Sequence, residues 1–175
     1  MSEVALLSDV LTPVRAVLVA TPRRWQALVD ATSTDLLDRI PIPGEWSATA
    51  CLSHLVDAER WILPVRLQAF LDGHDLRAFD PDIQGTSGYR PASELAPMFT
   101  ELRARSLDLL ARVEPDDLSR TAQHSELGTV QLRELLNEWA AHDLNHTIQA
   151  ERALMQEFIS GSGPWRHYFA DHDLG

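Results

Sequence analysis

The stretch Gly128–Gln156, GTVQLRELLNEWAAHDLNHTIQAERALMQ, decides how the rest of this 175-residue chain is read. At about 100° per residue, Leu132, Leu135, Leu136, Trp139, His142, Asp143, His146, Ala150, Ala153 and Leu154 fall in one stripe about 120° wide. Arg133, Glu134, Asn137, Glu138, Asn145 and Arg152 fall opposite. The periodicity predicts a long amphipathic helix capped by Thr129. Its apolar face carries His142 and His146, and a spacing of four stacks two imidazoles on one side of a helix. A buried neutral imidazole needs a partner for each ring nitrogen, and one left unpaired costs about 1–3 kcal/mol. Two readings stand: the pair grips one metal ion, or each is a core histidine bonded to a neighbouring carboxylate or carbonyl.

A second helix is predicted from Ser47, its N-cap, to about Leu71. Cys51, His54, Leu55, Ala58, Trp61, Ile62 and Val65 share its main stripe, so His54 is again core-facing. Leu52, Val56 and Leu63 form a second apolar flank, Asp57 and Glu59 read as solvated charges, and Pro64 should kink the helix by freeing the carbonyl of Arg60. Before it, a helical pattern at Val4, Leu7, Val10 and Leu11 should bend at Pro13. Thr21-Pro22 reads as an N-cap with proline at the first helical position, opening a segment with Trp25, Leu28, Val29, Leu36 and Leu37.

Between Asp72 and Pro91, Gly73, Pro81, Gly85 and Gly88 mark a loop of about 20 residues, long for a compact domain. Phe79, Tyr89 and Arg90 in it either line the mouth of a site or belong to a passive crossover. A third helix should run from Ser93 to Val113, with Leu95, Met98, Phe99, Leu102, Ser106, Leu109 and Val113 inward and Glu94, Glu101, Arg103, Ala104 and Asp108 at its edges or outside. After Ser160–Pro164, the aromatic piece Trp165–Phe169 is expected as a short C-terminal helix; His167 and His172 beside it read as surface histidines.

Four long helical segments without a strand signal predict an all-α bundle forming one domain, residues 1–175. Core-facing stripes converge in a bundle, so His54 can meet His142 and His146. Three neutral imidazoles with an open position suit catalytic zinc, and also nickel, iron or manganese. Asp143, Asp57, Glu59 and Glu138 are candidates for orienting those imidazoles. Cys51 is the only cysteine, which leaves any metal to histidine and carboxylate. The formal net charge is −11 and the basic residues, all arginine, are scattered, which argues against a nucleic-acid partner. Glu3 and Asp9 precede any basic residue, so the start fits no secretory signal, and no apolar run approaches a membrane span; a cytoplasmic protein is expected. Leu144 and Ile148, an apolar i,i+4 pair on the polar side, point to a homodimer or to cover by another part of the chain.

Two segments carry a resemblance to a known family. GEWSATACLSHLVDAERW, residues 44–61, is similar to the "WS…HL.D.ER" segment of the DinB/YfiT-like proteins, and HSELGTVQLRELLNEWAAHDLNHTIQ, residues 124–149, to their "H..G..TL..LL..W..HD..H..Q" segment. FDPDIQGTSGY and MFTELRARSLDLL resemble the family as well, so the likeness covers nearly the whole chain. One departure is Ser125, where the family pattern has proline. The resemblance implies a four-helix bundle in up-down-down-up order with a long crossover between helices 2 and 3. It also implies a metal site whose three histidines correspond to His54, His142 and His146. Relatives include transferases and isomerases that use mycothiol, bacillithiol or glutathione. A thiol-dependent transferase or isomerase acting on a small molecule through a divalent metal is thus the leading expectation, with Asp143 orienting a ligand and Tyr89, Arg90 or Arg103 as candidates for binding thiol or substrate. The competing expectation is a metal-binding stress-response or binding protein without catalytic activity.

Overall fold

A computed structural model of the chain describes residues 10–76 and 88–175. Val4 and Leu7 of the first pattern and Phe79 of the long loop lie outside the described residues. Helix α1 spans Leu11–Ala31 and is followed by a single turn, α2, Thr34–Leu37. The second column of the bundle comprises α3, Ala48–Trp61, and α4, Leu63–Asp72. The third is α5, Ala92–Leu110, and the fourth α6, Leu132–Gly161. A short 3-10 segment, Gly163–Phe169, follows α6 as expected.

Side-chain pairs give the direction of each column. Glu59 meets Arg103 and Gln68 meets Arg112, so the second and third columns run parallel. Arg103 joins Leu18 to Asp143 and Arg24 joins Glu151, so the first and fourth also run parallel. His54 against His142 and Glu59 against Trp139 make the second and fourth antiparallel. The order is up-down-down-up, and two consecutive parallel columns require the chain to travel back the length of the bundle between Asp72 and Pro91.

That return leg sets out beside an element the hydrophobic pattern did not signal. Strand β1, Thr121–His124, pairs antiparallel with β2, Gly128–Gln131, and Leu76 N–H donates to the Gln123 carbonyl at 2.9 Å. Both strands are four residues long and mostly exposed, so they show no apolar alternation. Gly128 takes φ 73° at the turn, where a side chain would be strained. Thr129 therefore lies in β2 and does not cap α6. Gln131 is the N-cap, and its backbone N–H donates to Glu134 Oε2 at 2.7 Å in a capping box.

Prolines account for the other departures. Thr21-Pro22 opens no helix: α1 continues through it, Thr21 Oγ1 donates to the Val17 carbonyl, and Pro22 is buried inside the helix. Pro13 lies in the first turn of α1. The second column does break near Pro64, at Ile62, whose φ of −117° and ψ of −71° end α3. The break resets the helical phase beyond it, so Val65 turns outward (52% exposed) while Leu63, Leu67 and Phe70 take the core side; Trp61, the last residue before the break, is 36% exposed. Ser47 caps α3 as predicted, its Oγ accepting from Ala50 N–H at 3.1 Å.

The core lies in two apolar clusters. One gathers Leu18, Leu63, Phe70, Leu110, Leu136 and Trp139, the other Trp25, Leu52, Leu55, Phe99 and Leu154. Along the second, third and fourth columns the residues between them are polar and buried: Glu59 on α3, Arg103 and Ser106 on α5, Asp143 on α6. Arg103 Nη1 and Nη2 donate to the two Asp143 oxygens at 2.6 and 2.9 Å, and Nε donates to Glu59 Oε1 at 2.7 Å. Glu59 also accepts from Ser106 Oγ and, at 2.9 Å, from Trp139 Nε1. Arg103 Nη1 reaches the Leu18 carbonyl at 3.0 Å, and that carbonyl is available because Pro22, four residues on, has no N–H to occupy it. Glu59 is thus a buried network carboxylate and Arg103 a core residue, against the surface roles their positions suggested; Asp57 is likewise buried.

Candidate metal centre

The site lies where α3 faces α6. His54 stands in the second turn of α3, and His142 and His146 stand one turn apart on α6, oriented by the bidentate clasp of Arg103 on the intervening Asp143. Nε2 of His54 and Nε2 of His142 face each other at 3.0 Å. One ring nitrogen from each of the three histidines lies within 4.8 Å of the others, and the ring centroids are 4.5 to 5.1 Å apart. Tetrahedral ligands bonded at 2.0–2.1 Å stand about 3.3 Å from one another, so movements on the order of an ångström bring all three nitrogens onto one ion.

Protonation favours the same use. Burial, then the neighbouring imidazoles and Arg103, pushes His142 down to about 3. Burial also lowers His54, with His146 adding and Asp57 opposing, and lowers His146 against the pull of Gln149 and Asp143. All three are neutral at pH 7, the form that offers a lone pair to a metal. His146 Nδ1 stands 2.9 Å from Gln149 Oε1, an acceptor, which assigns the proton to Nδ1 and leaves Nε2 free to coordinate. His142 Nδ1 is buried and, among the described residues, has no hydrogen-bond partner. The donor set therefore fits a divalent ion of the zinc or nickel type, and it is poorly explained as three histidines satisfied within the core.

Trp46 walls the site, stacked 5.6 Å from His146 at an interplanar angle of 14° and edge-on to His54 at 5.2 Å. Beyond His54 opens a cleft of about 600 Å³ that includes Trp46, Ser53, Asp57, Asp38, Tyr89 and Arg90. Tyr89 OH donates to Asp38 Oδ2 at 2.7 Å, and Thr49 Oγ1 donates to the other oxygen, which pins the rim together. On the far side His142 borders a second cavity of about 270 Å³ with Arg66, His124 and Glu138.

The structure brings His54, His142 and His146 together and places Tyr89 and Arg90 on the cleft that His54 lines. Arg103 is not there: it is 1% exposed and fully engaged by Asp143 and Glu59, so it binds no thiol or substrate. Asp143 gives both oxygens to Arg103, and its effect on the histidines runs through the position of α6. Trp46, Gln149 and Asp38 were missed. Gln149 follows His146 by three residues, a spacing that alone puts it in reach. Trp46 precedes the Ser47 cap, where an extended residue leads back over the helix start. Asp38 reaches the rim only through tertiary packing. Cys51 is fully buried and pushed up to about 12 by burial, which removes it as a ligand.

A helical bundle whose second and fourth columns present three neutral imidazoles to one point beside an open cleft defines a class of metal-site bundle protein. The family model of the DinB superfamily matches residues 18–150, and the chain belongs to that superfamily. Among solved structures it is similar, with a TM-score of 0.71 over 90% of each chain and 18% identity, to YfiT from Bacillus subtilis, described as a probable metal-dependent hydrolase with an unusual four-helix bundle topology. At that identity the likeness establishes the shared fold. Among curated proteins no sequence match is found.

Proposed function

We propose that this protein is a metal-dependent enzyme acting on small molecules, with His54, His142 and His146 holding one divalent ion, and that its reaction is a thiol-dependent transfer or isomerisation. The observation that carries the proposal is that His54, one of the three clustered imidazoles, lines the cleft of about 600 Å³, because a purely structural site would be closed by protein ligands. When bound, the ion supplies a positive charge that favours the deprotonated form of a water or thiol near neutral pH.

The surrounding residues would do the rest. Trp46 offers an apolar wall beside the histidines, Arg90 a cation at the rim for a carboxylate, and Asp57, Ser53 and the Asp38–Tyr89 pair polar groups for hydroxyls and amides. YfiT's description favours a second reading, hydrolysis at the same three histidines, and the two differ only in the nucleophile. The proposal includes a cytoplasmic setting, no nucleic-acid partner and a homodimer through Leu144 and Ile148, which are 38% and 60% exposed. Among the described residues no helix is long and apolar enough to cross a membrane.

Zinc- or nickel-loaded protein offered mycothiol, bacillithiol or glutathione with a haloarene or maleylpyruvate should form the thioether or isomerised product. His146→Ala should abolish metal retention and turnover together. Hydrolysis of ester or amide substrates without any thiol would favour the second reading; a loaded protein that neither reacts nor changes its cobalt spectrum with any thiol would leave a metal-bearing binding protein.

A further inference from the structure

The cavity behind His142 has no part in that reading, and the residues that line it suggest one. We propose that Glu138 is a positioning residue for the metal centre, accepting the Nδ1 proton of His142 through water held in this cavity; the inference rests on the three-histidine reading. Four observations converge on it. His142 turns Nε2 toward His54, so the tautomer able to share an ion carries its proton on Nδ1. That Nδ1 has no partner among the described residues and lies just out of reach of water as the ring stands, an unfavourable state for an N–H donor, so the ångström-scale movement that gathers the three nitrogens onto an ion must also turn it to the cavity. Glu138 precedes His142 by one helical turn, which sets its carboxylate over the same side of α6. Both line the cavity of about 270 Å³, together with Arg66 and His124, and a space of that size with polar walls holds several waters.

Arg66 gives the carboxylate a cation within electrostatic reach, and burial raises the Glu138 carboxyl from its ordinary value while Arg66 opposes the rise. The helical phase alone assigned Glu138 to the solvent face, and the residue as a whole is exposed, although its carboxyl is partly desolvated at the cavity wall. The structure adds a neighbour to it: His124, Ser125 and Glu126 at the hairpin turn line the same cavity as Glu138 and His142. Ligating histidines are generally fixed in this way by an acceptor on the second nitrogen, and loss of that acceptor typically weakens metal affinity about 10–100-fold.

The experiment compares wild type, Glu138→Gln and Glu138→Leu in two measurements. The first is zinc affinity by chelator competition at pH 7.5. The second is the 15N spectrum of the histidine side chains in the metal-free and zinc-loaded protein. Wild type should bind one zinc with His142 as the Nδ1–H tautomer. Glu138→Leu should weaken zinc about 10–100-fold and mix the His142 tautomers in the metal-free protein, and Glu138→Gln, which keeps an acceptor oxygen, should fall between. Equal affinity in all three proteins, or an unchanged His142 spectrum in Glu138→Leu, refutes the role of Glu138 while leaving the metal centre intact. Failure of the wild type itself to bind zinc, nickel or cobalt removes the metal reading, and this inference with it.

Discussion

Arg103 shows how a single residue can be legible in a sequence and still be misassigned. Ala96, Phe99, Arg103, Ser106 and Leu110 follow a helical stripe and four of the five suit a core, yet a charge is read as surface by default. Glu59 repeats the pattern on the second apolar flank, Leu52, Val56, Glu59, Leu63. Each charge needs the other to be buried, and a partner 44 residues away cannot be seen along one helix. Truncating one member leaves buried charges without their counterion. Arg103→Ala should lower stability by about 3–5 kcal/mol in urea unfolding, whereas the apolar triple Arg103→Met, Glu59→Leu, Asp143→Leu should recover much of that loss. A loss under about 1 kcal/mol for the single variant would mean that water enters and screens the network.

At the level of the element, helix phase, the Ser47 cap and the break at Pro64 were readable, and the caps assigned to Thr21 and Thr129 were not. Ser47 and the stripes that carry His54, His142 and His146 follow from spacing alone, and they account for the part of the site built from helix faces. Prolines mislead because the same residue opens one helix, breaks a second and passes through a third, according to what becomes of the carbonyl four residues before it. Pro22 is tolerated inside α1 because the Leu18 carbonyl has Arg103 as a substitute donor. Replacing a proline in a helix interior by alanine ordinarily gains about 3 kcal/mol. Here Pro22→Ala offers the same carbonyl a second donor in competition with Arg103, so the gain in thermal unfolding experiments should be well below that figure. A full gain would show that the guanidinium contact contributes little.

The molecule as a whole carries a pH dependence set by its site. The pKa of each metal-site histidine is lowered on folding, so protons bind the unfolded chain more tightly and the stability associated with neutral imidazoles is complete above about 6.5. It drains as the pH falls through and below that value, toward about 3 for His142. Metal-free protein should therefore lose denaturant resistance between pH 7 and pH 5, before most carboxylates titrate, and His142→Gln should flatten the profile; a midpoint constant over that range contradicts the burial of the three rings. Light scattering settles the association state: twice the chain mass is expected, and Leu144→Glu with Ile148→Lys should return it to the monomer.

The parallel placement of the second and third columns also bears on how the chain reaches this structure. α1 packs against α5 and α6, and the second column against the same two, so the first and second columns, and likewise the third and fourth, are consecutive in the chain yet sit mainly on diagonals of the bundle. A simple helical hairpin, the fast local unit of an up-down-up-down bundle, is not available as a first step. His54 and His142 are separated by 88 residues, and the loop joining α4 to α5 must close before the polar waist can assemble. Folding should therefore be slow for an all-helical protein, nearer the rate of chains rich in distant contacts. Zinc added at the start of refolding should stabilise the product without accelerating its formation, because the three imidazoles meet only after the rate-limiting search has ended.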